Sequence, residues 1–316
     1  MEELLDPKYD TGFKLIFGRE DVSEDILREF LNSLFENDPE LSDIKSVVYM
    51  NTEKTGNYSG AKGIRYDILC ETGSGHRFIV EMQKSWQRYF LKRAEYYYAR
   101  AVSEQGYRGK NRDAIEWDYN FVPVVGVYIC QSRIKGLPEK AITRCRLVDE
   151  ENMQPIDSSL RFVYIQLPFF EMEEAECENY SDQWIYNIKN MGSKQSVAFK
   201  SHRDIFRRLA EIGKVSMLSP EERRSYEADV KNARDYRNEL EGARIEGHEQ
   251  GLEEGRAEGR AEGRAEGRAE GRAEGRAEGA LQKLREIVKN LRSKGLDNIS
   301  IAELLGESDE FIASII

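Results

Sequence analysis

Two adjacent stretches carry the residue types that hydrolytic chemistry needs. Ile64-Arg65-Tyr66-Asp67-Ile68-Leu69-Cys70-Glu71 and His76-Arg77-Phe78-Ile79-Val80-Glu81-Met82-Gln83 each alternate apolar and polar residues. That period of two predicts a pair of half-buried strands. Gly73-Ser74-Gly75 between them is a hairpin turn signal. A three-residue loop closed by Thr72 and His76 places Asp67 opposite Glu81, and Arg65 opposite Gln83. Directly opposed side chains share a face about 5 Å apart. Two carboxylates held that close repel unless a cation lies between them, so the pair predicts a divalent-metal site on rigid strands. Magnesium suits it, because that ion takes hard oxygen ligands and few protein contacts. Solvated edge charges are the plainer alternative. Ile79 shares the face of Glu81, which argues against a simply wet surface.

With those residues in place, the chain resembles the PD-(D/E)XK nuclease superfamily, in its branch of Rpn-type recombination-promoting nucleases and PD-(D/E)XK family transposases. The Asp67 strand followed by Glu81-Met82-Gln83 is similar to the superfamily's acidic signature. The opening Asp6-Pro7-Lys8-Tyr9-Asp10-Thr11-Gly12-Phe13-Lys14-Leu15-Ile16-Phe17-Gly18 resembles that of the branch, as do Arg93-Ala94-Glu95-Tyr96-Tyr97 and Tyr98-Ala99-Arg100. The resemblance covers roughly residues 5–240.

It implies metal-dependent hydrolysis of a DNA phosphodiester, with Mg²⁺, or Mn²⁺ in its place, held by Asp67 and Glu81. A third carboxylate from the opening segment, Asp10 or Glu20, would complete a second metal site. The position usually held by lysine is Gln83, whose amide can place a water or contact a phosphate but cannot carry charge. The cation would then come from Lys14, unless that residue is only a solvated helix lysine. Lys84 follows Gln83 but alternates to the opposite face.

The net charge of −11 argues against general attraction to nucleic acid. Residues 84–112 are the local exception, with Lys84, Arg88, Lys92, Arg93, Arg100, Arg108, Lys110 and Arg112 opposed by Glu95 and Glu104 alone. On a helix over 87–105, Arg93, Tyr97 and Arg100 follow at i+4 and i+3 steps, and Tyr96 neighbours both arginines. Lys84, Arg88, Arg93, Tyr96, Tyr97 and Arg100 therefore form the expected DNA-contact surface, with Tyr98 packed on the sheet.

Other chemistries find little support. Cys70, Cys130, Cys145 and Cys177 show no C-x-x-C spacing and read as reduced cytoplasmic thiols. The acidic start Met1-Glu2-Glu3 does not resemble a secretion signal. The apolar run 121–129, interrupted by Pro123 and Gly126, is too short to cross a bilayer. His76, His202 and His248 are widely spaced, against a zinc hydrolase, and no phosphate-loop motif appears.

The elements that must position these residues follow from periodicity. A helix is predicted over 23–35, with Ser23 as N-cap and Ile26, Leu27, Phe30, Leu31 and Leu34 inward. Strands follow at 45–50, in the hairpin, at 121–129 and at 162–167, so an α/β restriction-endonuclease-like core with a mixed sheet flanked by helices is expected. The expected core is 1–200, followed by a helical extension over 201–245 with helices at 204–215 and from 220 to 240. Glycine then recurs at every fourth position from Gly247 to Gly279, and 255–278 are six Gly-Arg-Ala-Glu repeats. In a helix that stripe winds by about 40° per repeat. Like charges fall at i,i+4, and each glycine costs about 1 kcal/mol against alanine. The segment 246–279 therefore reads as an extended, partly helical spacer, with pairing through its small residues as the alternative.

Residues 280–316 regain an apolar face at Leu281, Leu284, Ile287, Val288 and Leu291, and form a helical unit too small to be very stable alone. Docking on the core or on another chain is expected. A homodimer is expected too, since cutting both strands of a duplex needs two sites. The sequence leaves open a catalytically inactive nuclease fold that binds DNA or protein, and RNA as the substrate.

Overall fold

Apolar residues at helical spacing open the chain. The computed structural model describes residues 3–54, 63–85, 87–106, 121–156 and 160–315. Helices α1 (Asp10–Phe17) and α2 (Glu24–Phe35) bury Phe13, Ile16, Phe17, Ile26, Leu27, Phe30, Leu31 and Leu34. Ser23 is the N-cap of α2, but its hydroxyl makes no capping bond and is buried without a partner. The first turn instead carries Glu24 and Asp25, whose charge suits the positive end of the helix dipole.

The strands are β1 (Val47–Tyr49), β2 (Glu53–Lys54), β3 (Ile64–Arg65), β4 (Ile68–Thr72), β5 (Arg77–Gln83), β6 (Val124–Cys130), β7 (Ile142–Arg146) and β8 (Leu160–Gln166). Six form one sheet in the order β1-β4-β5-β6-β8-β7, and β2 pairs with β3 apart from it. Neighbours β5, β6 and β8 run parallel; the other pairs are antiparallel. β6 is buried at all seven positions, as a central parallel strand covered on both faces must be. On one face, Phe78, Val80 and Met82 pack with α1, α2, α4 (Tyr180–Lys194) and α5 (Asp204–Ile212). On the other, Leu69, Ile79, Tyr128, Phe162 and Tyr164 pack under α3 (Phe90–Ser103) through Phe90, Ala94 and Tyr98. This is a restriction-endonuclease-like α/β arrangement.

The hairpin register is the expected one, with Ile68 paired to Val80 and Glu71 to Arg77, and Gly75 takes the left-handed turn at φ 89°. The strand expected over 64–71 is broken, however, at Tyr66 and Asp67. Arg65 faces Glu53 at 3.1 Å, not Gln83. The break follows from contacts with other elements: the Tyr66 N–H donates to Thr52 O at 3.0 Å, while its buried side chain donates to Tyr97 O at 3.0 Å. β7 and α4 lie outside the elements predicted from periodicity.

The chain divides into two compact units, Met1–Asp235 and Tyr236–Ile316. The helix α6 (Pro220–Ser293) takes in all the Gly-Arg-Ala-Glu repeats, so the expected partly helical spacer is helical throughout. Three of every four repeat positions are strong helix formers, and after Pro220 no proline interrupts α6. Glycine weakens such a helix without ending it.

Within the second unit, Val288 of α6 packs with Ile301 and Ala302 of α7 (Asn298–Leu305) and Ile312 of α8 (Asp309–Ser314). Asp297 and Ser308 cap α7 and α8, and Gly306 ends α7 at φ 70°. Ile287, expected on the apolar face, is exposed. No helix among the described residues is long and apolar enough to cross a membrane.

Candidate active site

The two acids at the end of the hairpin are each gripped by backbone from the opposite strand. Glu81 Oε1 accepts the Asp67 N–H at 3.2 Å, and Asp67 Oδ2 accepts the Met82 N–H at 3.0 Å. The break before β4 makes this possible, because Asp67 spends its N–H on a carboxylate instead of a ladder carbonyl. Glu81 is 7% exposed, and the Asp67 side chain 16%.

Lys14 comes to the pair from α1. Its Nζ lies 3.1 Å from Asp67 Oδ1 and 3.0 Å from Asp10 Oδ2, one turn back on the same helix. Asp10, expected as a further metal ligand, is thus joined to Asp67 through an ammonium. Among the described residues no group of three or more acidic, histidine or cysteine side chains stands together to hold a metal.

Burial dominates the electrostatics. Desolvation, then the charge of Asp67, pushes the Glu81 carboxyl up to about 8. Asp67 is raised by burial as well, with Lys14 and the Met82 N–H pulling the other way. Burial works to lower the Lys14 ammonium, but Asp67 and Asp10 outweigh it and the net shift is upward. The cluster therefore holds a firmly charged lysine beside two carboxyls reluctant to ionise together.

Gln83 is 5% exposed and bonded at both ends of its amide. Its Nε2 donates to Ser85 O, and its Oε1 accepts from Arg93. Arg93 also donates to Gln87 Oε1 at 2.6 Å and lies 5.6 Å from the ring centres of Phe90 and Tyr97. The arginine expected to rest on phosphate therefore clamps the end of β5. Lys84, also expected at DNA, pairs with Asp229 Oδ1 at 2.7 Å.

Of the remaining surface residues, Arg88 is exposed over the Tyr89 ring, Tyr96 is exposed, and Arg100 reaches Glu104 at 3.5 Å. Tyr97 is half-buried and edge-on to Tyr66. Tyr98 is buried against Phe162, as expected. Arg108, Lys110 and Arg112 lie outside the described residues. Asp229 and Tyr226 of α6 were missed, because one sequence carries no signal for a contact between its opening and a helix more than two hundred residues later.

The donors fit a divalent ion of the magnesium kind. Such an ion takes one or two carboxylates and completes its shell with water and substrate phosphate, and Asp67 and Glu81 supply that number. Lys14 pairs with Asp67, but ionising buried Glu81 beside that charge is costly, and a divalent ion would relieve it.

No curated protein and no solved structure matches the chain. A family model does, that of the PD-(D/E)XK nuclease family transposases, over residues 7–243. Nucleases of this superfamily typically use divalent metal ions, and the acidic hairpin lies inside the matched span. With its mixed sheet, its paired acids just before β4 and on β5, and a match over most of its length, the chain belongs to the PD-(D/E)XK nuclease family transposases.

Proposed function

We propose that this protein is a metal-dependent endonuclease that hydrolyses phosphodiester bonds in duplex DNA, in recombination, mobile-element movement or phage defence. The observation that carries the reading is the convergence of Asp67, Glu81 and Lys14 at the open end of one hairpin. Asp67 and Glu81 would hold Mg²⁺ or Mn²⁺. When bound, such an ion polarises the scissile phosphate and lowers the pKa of a water.

The chain's own groups do the rest. Lys14 Nζ stays protonated and places a positive charge where the phosphate gains negative charge, the role left vacant by Gln83. Buried Glu81 keeps bulk water from the inner side of the site. Arg93 fixes the Gln83 amide, leaving the end of β5 rigid. Arg88, Tyr96 and Arg100 meet the DNA backbone and position it without reading sequence.

The protein acts in the cytoplasm, where its four unpaired thiols stay reduced. It works as a homodimer, with its C-terminal helices pairing with a second chain. A plasmid-nicking assay with Mg²⁺ or Mn²⁺ tests the central reading. Wild type is expected to cut, with Asp67→Ala and Glu81→Ala inactive. Cleavage untouched by both substitutions overturns it. A binding-only protein, favoured by the glutamine at position 83, would retain DNA without cutting it. Competition between duplex DNA and RNA decides the substrate.

A further inference from the structure

Asp229 of α6 spends its carboxylate on two parts of the frame around the acids. Oδ1 pairs with Lys84 Nζ at 2.7 Å, just past β5, and Oδ2 accepts the Thr11 N–H at 3.0 Å, in the first turn of α1. The first amides of a helix have no acceptor within it, and the α1 N-cap residue, Tyr9, supplies no side-chain cap. A carboxylate at that end also suits the helix dipole. Asp229 thus caps α1 from a distant part of the chain.

One turn earlier on α6, the Tyr226 hydroxyl accepts the Asp6 N–H at 2.9 Å, and its ring meets Tyr9 edge-on. Gly12 permits this approach: a Cβ there would lie 2.2 Å from Asp6 O and 3.2 Å from the Tyr226 ring. From the other side, Gln131 donates its side chain to Lys8 O and its N–H to Gln83 O at 2.9 Å. Residues 6–11 are therefore seated between α6 and the ends of β5 and β6. Three residues beyond Thr11, on the same side of this short rod, stands Lys14.

We infer that Asp229 is a positioning residue of the hydrolytic site, holding α1 so that the Lys14 ammonium stays against Asp67. The inference rests on the nuclease reading above. Asp229 touches no reacting atom; it acts through Lys14. A merely stabilising ion pair would affect folding and leave the folded protein's turnover unchanged.

The test uses the full chain, Mg²⁺ and supercoiled plasmid, with Asp67→Ala alongside. Asp229→Ala is expected to lower kcat on the order of tenfold with KM within about twofold, the scale of a small misplacement of a catalytic group. In the metal-free protein, acetylation of Lys14 by an activated ester, read by mass spectrometry, is expected to rise severalfold, while Lys45 stays unchanged. In a Lys14→Ala background, Asp229→Ala is expected to cost nothing further in kcat, the signature of one residue acting through another. Lys84→Met loosens the same carboxylate from its other end and is expected to act in the same direction, which keeps the test decisive should Asp229→Ala fold poorly. Wild-type kcat and Lys14 labelling in both variants, or additive losses with Lys14→Ala, would overturn the inference. Should Asp67→Ala still cut, the nuclease site itself falls; an inactive Asp67→Ala beside an unaffected Asp229→Ala removes only the role of Asp229.

Discussion

Lys14 Nζ lies 3.1 Å from Asp67 Oδ1, so a helix at the start of the chain delivers a cation to an acid on the central hairpin. Superfamily members usually carry this charge two residues after the second acid, where the chain has Gln83. Here Lys14 brings a positive charge to Asp67 from α1. Gln83, which carries no charge, accepts from Arg93 instead.

Removing that cation should slow chemistry more than binding. Lys14→Ala is expected to reduce kcat by roughly 10²-fold, the scale seen when one preorganised donor to a developing charge is lost. Lys14→Arg should recover part of it. Mg²⁺-dependent plasmid cleavage at saturating DNA checks both variants.

Restoring lysine at position 83 should do harm. Gln83 accepts from Arg93 at a position 5% exposed to solvent. Gln83→Lys removes the acceptor and sets a lysine at this buried position beside the half-buried Arg93. A loss of about 1–3 kcal/mol is expected from the lost acceptor and the charge placed at a buried position, with no gain in cleavage. Urea unfolding measured beside the plasmid assay would show it.

The acids also predict a pH dependence. Glu81, pushed up to about 8 by burial and by Asp67, keeps its proton in the folded metal-free protein over a range where the unfolded chain has lost it. The raised Asp67 acts in the same sense. Their contribution to stability is therefore full at acid pH and is lost as pH rises from the ordinary carboxyl range, about 4.3, to about 8. Mn²⁺ affinity should rise over the same window, since binding must displace protons. Melting temperatures between pH 5 and 8, with and without Mn²⁺, should diverge as pH increases.

The repeats permit a test apart from the site. Glycines from Gly247 to Gly279 have open space where a Cβ would stand. Gly259→Ala, Gly263→Ala and Gly267→Ala together should stabilise α6 by about 1 kcal/mol each. Circular dichroism during heating should show a later loss of helix, with plasmid cleavage unchanged.

Short-range order was legible in the sequence. Alternation on either side of Gly73-Ser74-Gly75 set the pairing of Ile68 with Val80, because a slip of one residue would turn every apolar side chain to the wrong face. The inward faces of α2 and of the last turns of α6 were readable for a similar reason, since helical period and burial coincide there. The repeats run on as helix because no helix stop interrupts them, and three strong helix formers in every four residues offset the glycine cost.

What only the tertiary structure decided was which charges meet. Lys84 finds Asp229, Arg93 finds Gln83, and Lys14 bridges Asp10 and Asp67. Local periodicity is written in neighbouring residues, whereas an ion pair needs only two groups that folding brings together from anywhere in the chain. The break at Tyr66 belongs with these, for it depends on a buried hydroxyl reaching the carbonyl of Tyr97 on another element.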